Sequence, residues 1–483
     1  MDQGQTPLLA TLVEHNQGCP LPFHVPGHKG GRMVRDDLLD LWGPSVFTYD
    51  VTEVGNFDDL HAPDGAIARA QELAAQAVGA AHTFFLTAGS TAGLLAALLA
   101  VSAPGDKVLV PRNAHRSVLA GMVLSGAQPV FIWPPLDCDM DVAGPLALET
   151  VEHALSRHPD ARVMVLMHPT YFGCVGETQA IIALAKERGM CVVVDEAHGA
   201  HFPFSSHFPA SSLTMGADVV VQSWHKTLGA LTGGAMLHCT GRGKEMLGRI
   251  RAFLRMVHTS SPSYLTLVSL DVARSHAATA PQSRWRRVKE YYGQLRDILD
   301  GVTGVSVYPG VISAQDPIKL VVKTNDFSAR ALARELAKAH SIHPELATED
   351  VCLLVLGAGD KDLLSASELG RSIHEAARQA RRDNKRKGRF DASWLWERPS
   401  AVMKPRDAAL SPSEWVPLSE ASGRICAELV AMYPPGSAVL CPGEVLDVKT
   451  ADVIGNMLAE NYRFHGVGPP PEYRIAVVIK DRT

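Results

Sequence analysis

The chain has 483 residues, of which 46% are apolar and 20% are charged, and its formal net charge at neutral pH is −5. This length allows two or three domains, and the composition is that of a soluble globular protein. The nearly balanced charge argues against a general attraction to nucleic acid and against disorder, so we expect no nucleic-acid partner.

Neither a secretion signal nor a membrane span is predicted. The amino-terminal residues lack the basic start and the apolar core of a signal peptide. The longest strongly apolar run, 92–103, is shorter than the about 20 residues that cross a bilayer. We therefore expect a cytoplasmic protein with no membrane partner. Its 8 cysteines include no C-x-x-C pair, which favours buried, reduced thiols over a disulfide framework, and no metal site is predicted.

Residues 1–60 are predicted to form an irregular amino-terminal arm, because the stretch 20–33 is dense in proline and glycine. From residue 61 onward, short β-branched or apolar runs alternate with helical patterns. Strands buried on both faces read as continuous apolar runs, so this alternation predicts a mostly parallel α/β sheet with helices on both faces. The predicted strands are 83–87, 107–111, 129–133, 162–167, 191–197, 218–224 and 233–238, and the predicted helices are 65–80, 90–103, 115–126, 144–158 and 177–189.

The regular alternation of strand-like runs and helical patterns changes after about residue 250. A long helical region that includes 286–301 precedes strand-like runs at 305–310, 318–324 and 351–357, which suggest a smaller α+β domain. We predict a large domain over 61–300, a small domain over 301–400 and a carboxy-terminal segment over 401–483.

The first chemistry-bearing motif is TAGSTAGL (87–94), in which Gly89, Ser90 and Thr91 stand where a helix is predicted to begin. Free N–H groups, the positive end of the helix dipole and two hydroxyls suit a phosphate group. An ordinary Ser/Thr cap would give the same pattern. The chain has no G-x-G-x-x-G after a strand, so the dinucleotide fingerprint is missing.

Two further strand ends carry polar residues. His115 follows a predicted strand and begins a helix, where it could lie flat on a planar ligand or cap the helix. Asp195 ends an apolar strand, and a buried carboxylate needs a partner such as a protonated ring nitrogen. His198 and His201 could also ligate a metal, but no third ligand stands at a suggestive spacing.

Lys226 follows a strand directly and is preceded by Ser223 and His225. Such a lysine could be a surface charge, a phosphate ligand or a covalent catalyst, since its amine can form a Schiff base with an aldehyde. A phosphate cradle, a stacking ring, a carboxylate and a lysine are together the parts that pyridoxal 5′-phosphate requires. We therefore predict this cofactor.

Several motifs in one order extend this interpretation over nearly the whole chain. They resemble the Orn/Lys/Arg decarboxylases of pyridoxal-phosphate fold type I, and in particular the short bacterial type without the N-terminal wing domain. The stretches that carry the resemblance are PFHVPGHKGG (22–31), FDDLHAPDGAI (57–67), HPTYFG (168–173), VDEAHGAHF (194–202), SWHKTLGALT (223–232), TSSPSYLTLVSLDVAR (259–274), SEASGRICAELVAMYPPG (419–436) and PGE (442–444).

The resemblance implies a fold type I large domain with a mostly parallel seven-stranded sheet, and a smaller C-terminal α+β domain. It also implies a homodimer or higher homo-oligomer with shared active sites. The implied roles are a Schiff base for Lys226, a bond to the pyridine nitrogen for Asp195 and ring stacking for His115. The other implied cofactor contacts are Gly89, Ser90, Thr91, Thr170, Ala197, His198, Ser223, His225 and Ser261, the last of which could reach the cofactor site of its own or of the neighbouring subunit.

The implied reaction is α-decarboxylation of arginine, lysine or ornithine to the amine and CO2, as in polyamine biosynthesis. Lys226 and His198 are the candidate proton donors to Cα, and Asp195 completes the predicted catalytic set. A cationic substrate side chain needs acidic partners, which could equally be helix caps or structural ion pairs. The candidate substrate-binding residues are Asp58, Asp59, Glu345 and Glu444, with His28 and Lys29 near the substrate carboxylate or shaping the arm.

The chain departs from the family pattern in two places. Gly233 stands where members commonly carry Gln, and the turn TAGSTAG has a small residue where relatives often carry Gln before the glycine. Both changes leave the cofactor chemistry intact and could alter the substrate pocket or the subunit contact. One alternative function is another enzyme with this cofactor, such as an aminotransferase, a lyase or an amino-acid oxidase. The other is a non-catalytic binding relative, against which the presence of Lys226 and Asp195 argues.

Overall fold

The computed structural model describes residues 1–18, 20–55, 57–137, 142–308, 315–358, 363–383, 399–434 and 436–479. Helices within these ranges are α1 (Pro7–Gln17), α2 (Asp36–Trp42), α3 (Pro44–Tyr49), α4 (Ala66–Val78), α5 (Gly89–Val101), α6 (Arg116–Ser125), α7 (Leu148–Arg157), α8 (Thr178–Glu187), α9 (Trp224–Thr227), α10 (Leu247–Val257), α11 (Tyr264–Ala278), α12 (Gln282–Asp300), α13 (Ala329–His340), α14 (Ala366–Asp383), α15 (Pro405–Leu410) and α16 (Val448–Ala459).

Strands within the same ranges are β1 (His82–Leu86), β2 (Lys107–Pro111), β3 (Gln128–Ile132), β4 (Leu136–Asp137), β5 (Val142–Ala143), β6 (Val163–Met167), β7 (Cys191–Asp195), β8 (Val219–Gln222), β9 (Ala235–Cys239), β10 (Val305–Val307), β11 (Lys319–Thr324), β12 (Leu346–Ala347), β13 (Val351–Val355), β14 (Ser413–Pro417), β15 (Val430–Tyr433), β16 (Ser437–Leu440), β17 (Arg463–His465) and β18 (Arg474–Val478).

The chain divides into two compact units. The first contains Met1–Ala100, Val192–Arg286 and Gly357–Asp360, and the second contains Val101–Cys191, Arg287–Leu356 and Lys361–Thr483. The predicted seven-stranded sheet is confirmed: its order is β1–β9–β8–β7 in the first unit and β6–β2–β3 in the second. The division into an arm, two domains and a carboxy-terminal segment stays a prediction.

In the first unit, β7 and β8 are parallel, and β9 is antiparallel to both β8 and β1. The register pairs Asp195 with Val221, Gln222 with Met236, and Leu86 with Ala235. One edge of this part of the sheet therefore brings together the ends of β1, β7 and β8 and the start of β9. The loops that follow Leu86 and Asp195 emerge at this edge, together with the loop between β8 and β9.

Helix α5 follows β1 after two residues, and beyond Ser90 and Thr91 in its first turn it is apolar on all sides, as expected for a helix without a solvent-facing side. Its Gly93 is required by close packing, because a Cβ there would lie 2.7 Å from Leu86 Cδ1 and 2.9 Å from Val221 Cγ1. The helix consequently lies very close to the sheet, with its amino end at the edge just described.

The prediction of an irregular arm over residues 1–60 is wrong for α1, α2 and α3. Helix α1 packs against α4 and α11 through the buried Leu8 and Leu12. The backbone N–H of Leu8 also donates a hydrogen bond to Asp271 Oδ2 at 3.0 Å. Tertiary packing thus stabilises a helix whose local sequence pattern is weak. The stretch 20–33 consists of turns and bends, as predicted.

In the second unit, β2 pairs in parallel with β3 and with β6. A separate antiparallel sheet has the order β10–β11–β13–β12 and contains the three strands predicted between 305 and 357. Helices α13 and α14 pack together beside it and share its apolar core. The carboxy-terminal segment has a core of its own that includes β15, β16, β18 and α16.

Within the described ranges, no helix combines the length and the apolar character that crossing a bilayer demands. Six cysteines lie in these ranges and all of them are buried, as predicted.

Candidate active site

Asp195 is the last residue of β7, and its side chain is almost fully buried. Its Oδ1 accepts a hydrogen bond from the backbone N–H of Ala197 at 3.1 Å. Burial raises the pKa of Asp195, although the positive charge of Lys226 and the Ala197 N–H act in the opposite direction. The ionised carboxylate would consequently be stabilised by a further cationic or donor group placed against it.

Lys226 lies in the single turn α9, which follows β8 directly. Its Nζ is 3.2 Å from Nε2 of His198, which comes from the loop after β7. The lysine is exposed. The edge of the sheet therefore brings an accessible primary amine, an imidazole and a buried carboxylate into one region of the first unit.

Ser223 stands between β8 and α9, and its Oγ is buried with no hydrogen-bond partner among the described residues. A buried hydroxyl without a partner is costly, so this atom suits a ligand that accepts its proton. His225 Nδ1 donates to the carbonyl oxygen of Gly234 at 2.9 Å, which fixes the orientation of the ring. Burial also lowers the pKa of His225.

The predicted phosphate turn lies at the amino end of α5. Gly89 has a φ of +74° and donates its backbone N–H to the carbonyl oxygen of Gly233 at 2.8 Å. That N–H is consequently not available to a ligand, whereas the hydroxyls of Ser90 and Thr91 are only half-buried or exposed. The hydrogen bond also connects the turn to Gly233, which follows the motif SWHKTLGALT (223–232).

Gly233 itself has a φ of +89°, a conformation that favours glycine. A Cβ at this position would lie 3.0 Å from the carbonyl oxygen of Thr87. The backbone conformation and the close approach of Thr87 therefore favour glycine here, where family members commonly carry Gln.

A buried hydrogen-bond network that the sequence did not reveal lies beneath this edge. Gln222 donates to Oε1 of Glu196 at 2.7 Å, and it accepts from Nε2 of His238 at 3.0 Å. His238 in turn accepts from the hydroxyl of Thr83 at 2.8 Å, and burial lowers its pKa to about 3. Ser211 donates to the same Glu196 oxygen at 2.7 Å.

This network holds the two strand ends that carry the candidate site, because Glu196 follows Asp195 and Gln222 precedes Ser223. Its sequence signal is slight: Gln222 and His238 are polar residues inside otherwise apolar strands. Such residues need internal partners, but nothing local identifies which ones.

His201, the second histidine of the alternative metal pair, is buried between the rings of Phe202 and Phe208. In the described ranges, no three or more His, Cys, Asp or Glu side chains are grouped in a way that could hold a metal ion. The geometry therefore favours a packing role for His201.

The acidic candidates for substrate binding in the first unit have structural contacts. The side chain of Asp58 accepts the backbone N–H groups of Gly65, Ile67 and Ala68, so it caps α4. Asp59 accepts the N–H of His61 in a local turn. These contacts favour the interpretation as caps.

In the second unit, Glu444 is buried against Arg112 with N–O distances of 2.6 and 2.9 Å, so its carboxylate is engaged in an ion pair. Glu345 is exposed and accepts the hydroxyl proton of Tyr171 at 2.7 Å. A contact of either residue with substrate stays a prediction, and the ion pair argues against it for Glu444.

The remaining predicted residues are placed as follows. His115 caps α6, and its Nδ1 lies 2.7 Å from Ser117 Oγ. The buried Oγ1 of Thr170 accepts the N–H of Cys174 at 3.1 Å. In the first unit, Ser261 is exposed in a turn, and His28 Nε2 lies 3.2 Å from Asp50 Oδ2. Their roles toward a cofactor or a substrate stay predictions.

Comparison with known proteins decides the family. The Orn/Lys/Arg decarboxylase major domain matches residues 6–313, and the Orn/Lys/Arg decarboxylase C-terminal domain matches residues 390–464. The chain belongs to the Orn/Lys/Arg decarboxylase family. This confirms the resemblance seen in the sequence and makes the chain a decarboxylase.

Relatives and solved structures agree with this assignment. The chain is 36% identical to an arginine decarboxylase of Bacillus subtilis, with 94% of each chain covered. It is 35% identical to an arginine decarboxylase of Halalkalibacterium halodurans, with 92% of this chain and 91% of the relative covered. The structure of the Escherichia coli constitutive lysine decarboxylase matches with a TM-score of 0.82 at 19% identity, over 99% of this chain and 82% of that one. The structural match confirms the predicted fold class.

Proposed function

We propose that this chain decarboxylates arginine, with pyridoxal 5′-phosphate bound at the edge of the sheet that carries Asp195 and Lys226. The reaction on a basic amino acid follows from membership of the family. The choice of arginine rests on the relatives that match more than nine-tenths of this chain and are named arginine decarboxylases. By sequence alignment, relatives named for lysine or ornithine match only 55% and 58% of it.

The residues of the first unit fit this cofactor. Ser223 Oγ is a buried hydroxyl without a partner in the described ranges, which suits a phosphate oxygen, and Ser90 and Thr91 stand at the amino end of α5. The buried Asp195 would hold the pyridine nitrogen, and the amine of Lys226 would hold the aldehyde carbon. The ring-stacking role of His115 and the contact of Thr170 stay predictions from the family pattern.

Pyridoxal phosphate, when bound, supplies the electron-withdrawing ring that accepts the electron pair of the breaking Cα–carboxylate bond. The protein's own contribution is electrostatic and geometric. An ionised Asp195 keeps a proton on the group placed against it, because that pairing offsets the cost of its burial. His198 and Lys226 stand close enough to exchange a proton, and either can deliver it to Cα after CO2 has left.

The proximity of Lys226 Nζ to His198, together with the electrostatic influence of Lys226 on the buried Asp195, is the observation that carries the proposed cofactor site. It is tested by incubating the purified protein, loaded with pyridoxal phosphate, with arginine, lysine and ornithine in turn. Mass spectrometry should show the amine of arginine and an equal amount of CO2. A preferred amine from lysine or ornithine would overturn the substrate, and a keto acid would overturn decarboxylation.

Borohydride reduction followed by peptide mass spectrometry tests the lysine itself. The cofactor should be found on Lys226, and the Lys226→Ala variant should carry no covalent label and lose decarboxylation. Lys244→Ala is the matched control, because Lys244 is an exposed lysine of the same unit. A label that persists in Lys226→Ala would assign the covalent role to another lysine.

We also propose that the active form is a homodimer or a higher homo-oligomer. Several large apolar side chains of the amino-terminal region are exposed, among them Phe23 at 95%, Leu41 at 77% and Met33 at 74%. Large apolar side chains left this exposed within one short stretch of the chain suggest that a partner covers them. Light scattering should give at least twice the chain mass, and a monomer at working concentration would contradict the proposal.

A further inference from the structure

The turn that leads from β1 to α5 is attached to a side chain that the motifs did not indicate. The ladder between β1 and β9 ends at the pair Leu86 and Ala235. The next N–H, that of Thr87, donates to Nε2 of His258 at 3.0 Å. The imidazole of His258, 171 residues further along the chain, thus accepts the first backbone N–H beyond the end of the strand ladder.

His258 is itself firmly placed. It is the C-cap of α10, and its backbone N–H donates to the carbonyl oxygen of Leu254 at 2.9 Å. Its ring meets that of His61 edge-on at a centroid distance of 6.1 Å, and His61 Nε2 lies 2.9 Å from the carbonyl oxygen of Thr259. The acceptor therefore projects from the rigid end of a helix.

The protonation state of His258 suits this bond. Burial, together with the neighbouring His61, lowers the pKa of His258 to about 4, so the imidazole is neutral at neutral pH. A neutral ring that accepts an amide proton at Nε2 carries its own proton at Nδ1. The hydrogen bond is consequently formed under ordinary conditions.

The other side of the same turn is held by Gly233, which accepts the N–H of Gly89 at 2.8 Å. Two hydrogen bonds thus bracket Thr87 and Gly89, immediately before the two hydroxyls of Ser90 and Thr91. The Oγ1 of Thr87 is buried and has no hydrogen-bond partner among the described residues. The segment therefore presents polar atoms that the fold itself leaves for a ligand.

We propose that His258 is a positioning residue, which holds the Thr87 backbone so that the turn from Gly89 to Thr91 is preorganised for a phosphate group. This inference rests on the proposed function, because the phosphate is that of the cofactor. His258 acts through Thr87 and makes no contact with the reacting atoms in this assignment. Its loss should raise the dissociation constant of pyridoxal phosphate because the free protein must then order the turn on binding.

Three variants separate this role from simple packing. In His258→Gln, the side-chain oxygen reaches about as far as Nε2 and keeps the acceptor. His258→Asn is too short to reach Thr87, and His258→Phe keeps a ring but has no acceptor. His153→Phe, at an exposed histidine of α7, is the control for the general effect of replacing a histidine by phenylalanine.

Titration of the cofactor-free proteins with pyridoxal phosphate, followed by visible absorption, gives the dissociation constants, and thermal unfolding of the same samples gives their stability. We expect the Gln variant and the control to bind like the parent protein. The Asn and Phe variants should bind about tenfold more weakly or worse, as expected for one lost hydrogen bond to a preorganised site. The Asn and Phe variants should still unfold cooperatively.

Equal affinity of the parent and the Phe variant would overturn the role of His258. A weakening that the Gln variant shares in full would also overturn it, since packing rather than the acceptor would then be responsible. If the parent protein itself binds no pyridoxal phosphate, the proposed function fails, and that outcome is distinct from either of these.

Discussion

Nζ of Lys226 lies 3.2 Å from Nε2 of His198, which joins the single turn after β8 to the loop after β7. An amine and an imidazole at this distance can share one proton. In the reaction that we propose, they are consequently well placed to return a proton to the substrate carbon once CO2 has left.

Replacement of His198 tests this relationship. In His198→Phe the ring shape is kept and the proton-carrying nitrogens are lost, so the decarboxylation rate should fall by about 10²–10⁴-fold, the usual contribution of a general acid or base. Binding of pyridoxal phosphate should be retained, because Lys226 is still present. The kcat of the cofactor-saturated enzyme is the measurement, with His207→Phe as the control. An unchanged kcat would leave Lys226 as the proton donor.

The buried carboxyl of Asp195 should make the stability of the cofactor-free protein depend on pH. Burial raises the pKa of Asp195 above its value in the unfolded chain, so the group favours folding below the unfolded pKa of about 3.9. This contribution is lost as the pH rises through the folded pKa. The Asp195→Asn variant without cofactor should therefore unfold at a higher temperature than the parent protein at pH 7.

The advantage of Asp195→Asn should disappear as the pH falls to about 4, where the parent carboxyl is protonated in both states. Calorimetry of both cofactor-free proteins across this range is the measurement. The same variant should bind pyridoxal phosphate more weakly, since an amide cannot supply the negative charge. A variant less stable than the parent at every pH would show that the carboxylate is stabilised by its surroundings.

Gly233 should tolerate no side chain. Its φ of +89° and the 3.0 Å approach to the carbonyl oxygen of Thr87 should make Gly233→Ala less stable by about 1–3 kcal/mol. Gly216→Ala measures the loss of stability that the left-handed backbone conformation causes by itself. Gly216 has a φ of +94°, and the space around its Cβ position is open. Denaturant unfolding compares the two. A Gly233→Ala variant as stable as Gly216→Ala would mean that the close approach to Thr87 costs nothing.

The ion pair of Arg112 and Glu444 should be a major contributor to stability in the second unit, since both side chains are only 3% exposed. Glu444→Gln leaves a buried guanidinium without its charge partner, and the free energy of unfolding should fall by about 3–5 kcal/mol. Glu345→Gln, at an exposed carboxylate, should change it by no more than about 1 kcal/mol. Chemical denaturation measures both. A stable Glu444→Gln protein with a raised KM would instead restore Glu444 as a substrate ligand.

The strands could be predicted well because their signal is local. The apolar run 191–197 predicts β7, which lies at Cys191–Asp195, and the run 218–224 predicts β8, which lies at Val219–Gln222. Helix α1 was not predicted, because the contacts that stabilise it come from α4 and α11 and from Asp271 in α11, 263 residues away from Leu8. No periodic pattern in the first 60 residues reports those partners.

The amino-acid sequence by itself determined the family, the strand ends that carry Asp195 and Lys226, and the chemistry that such residues can perform. Those conclusions depend on residue types at short spacing, which a sequence displays directly. Only the tertiary structure decided that Asp58 caps a helix, that Glu444 pairs with Arg112, and that His258 accepts the N–H of Thr87. The bonds of Glu444 and His258 join residues 332 and 171 positions apart, and such bonds leave no mark on the local pattern. The cap is a nearer contact, but the local pattern alone allows either a cap or a substrate ligand at Asp58.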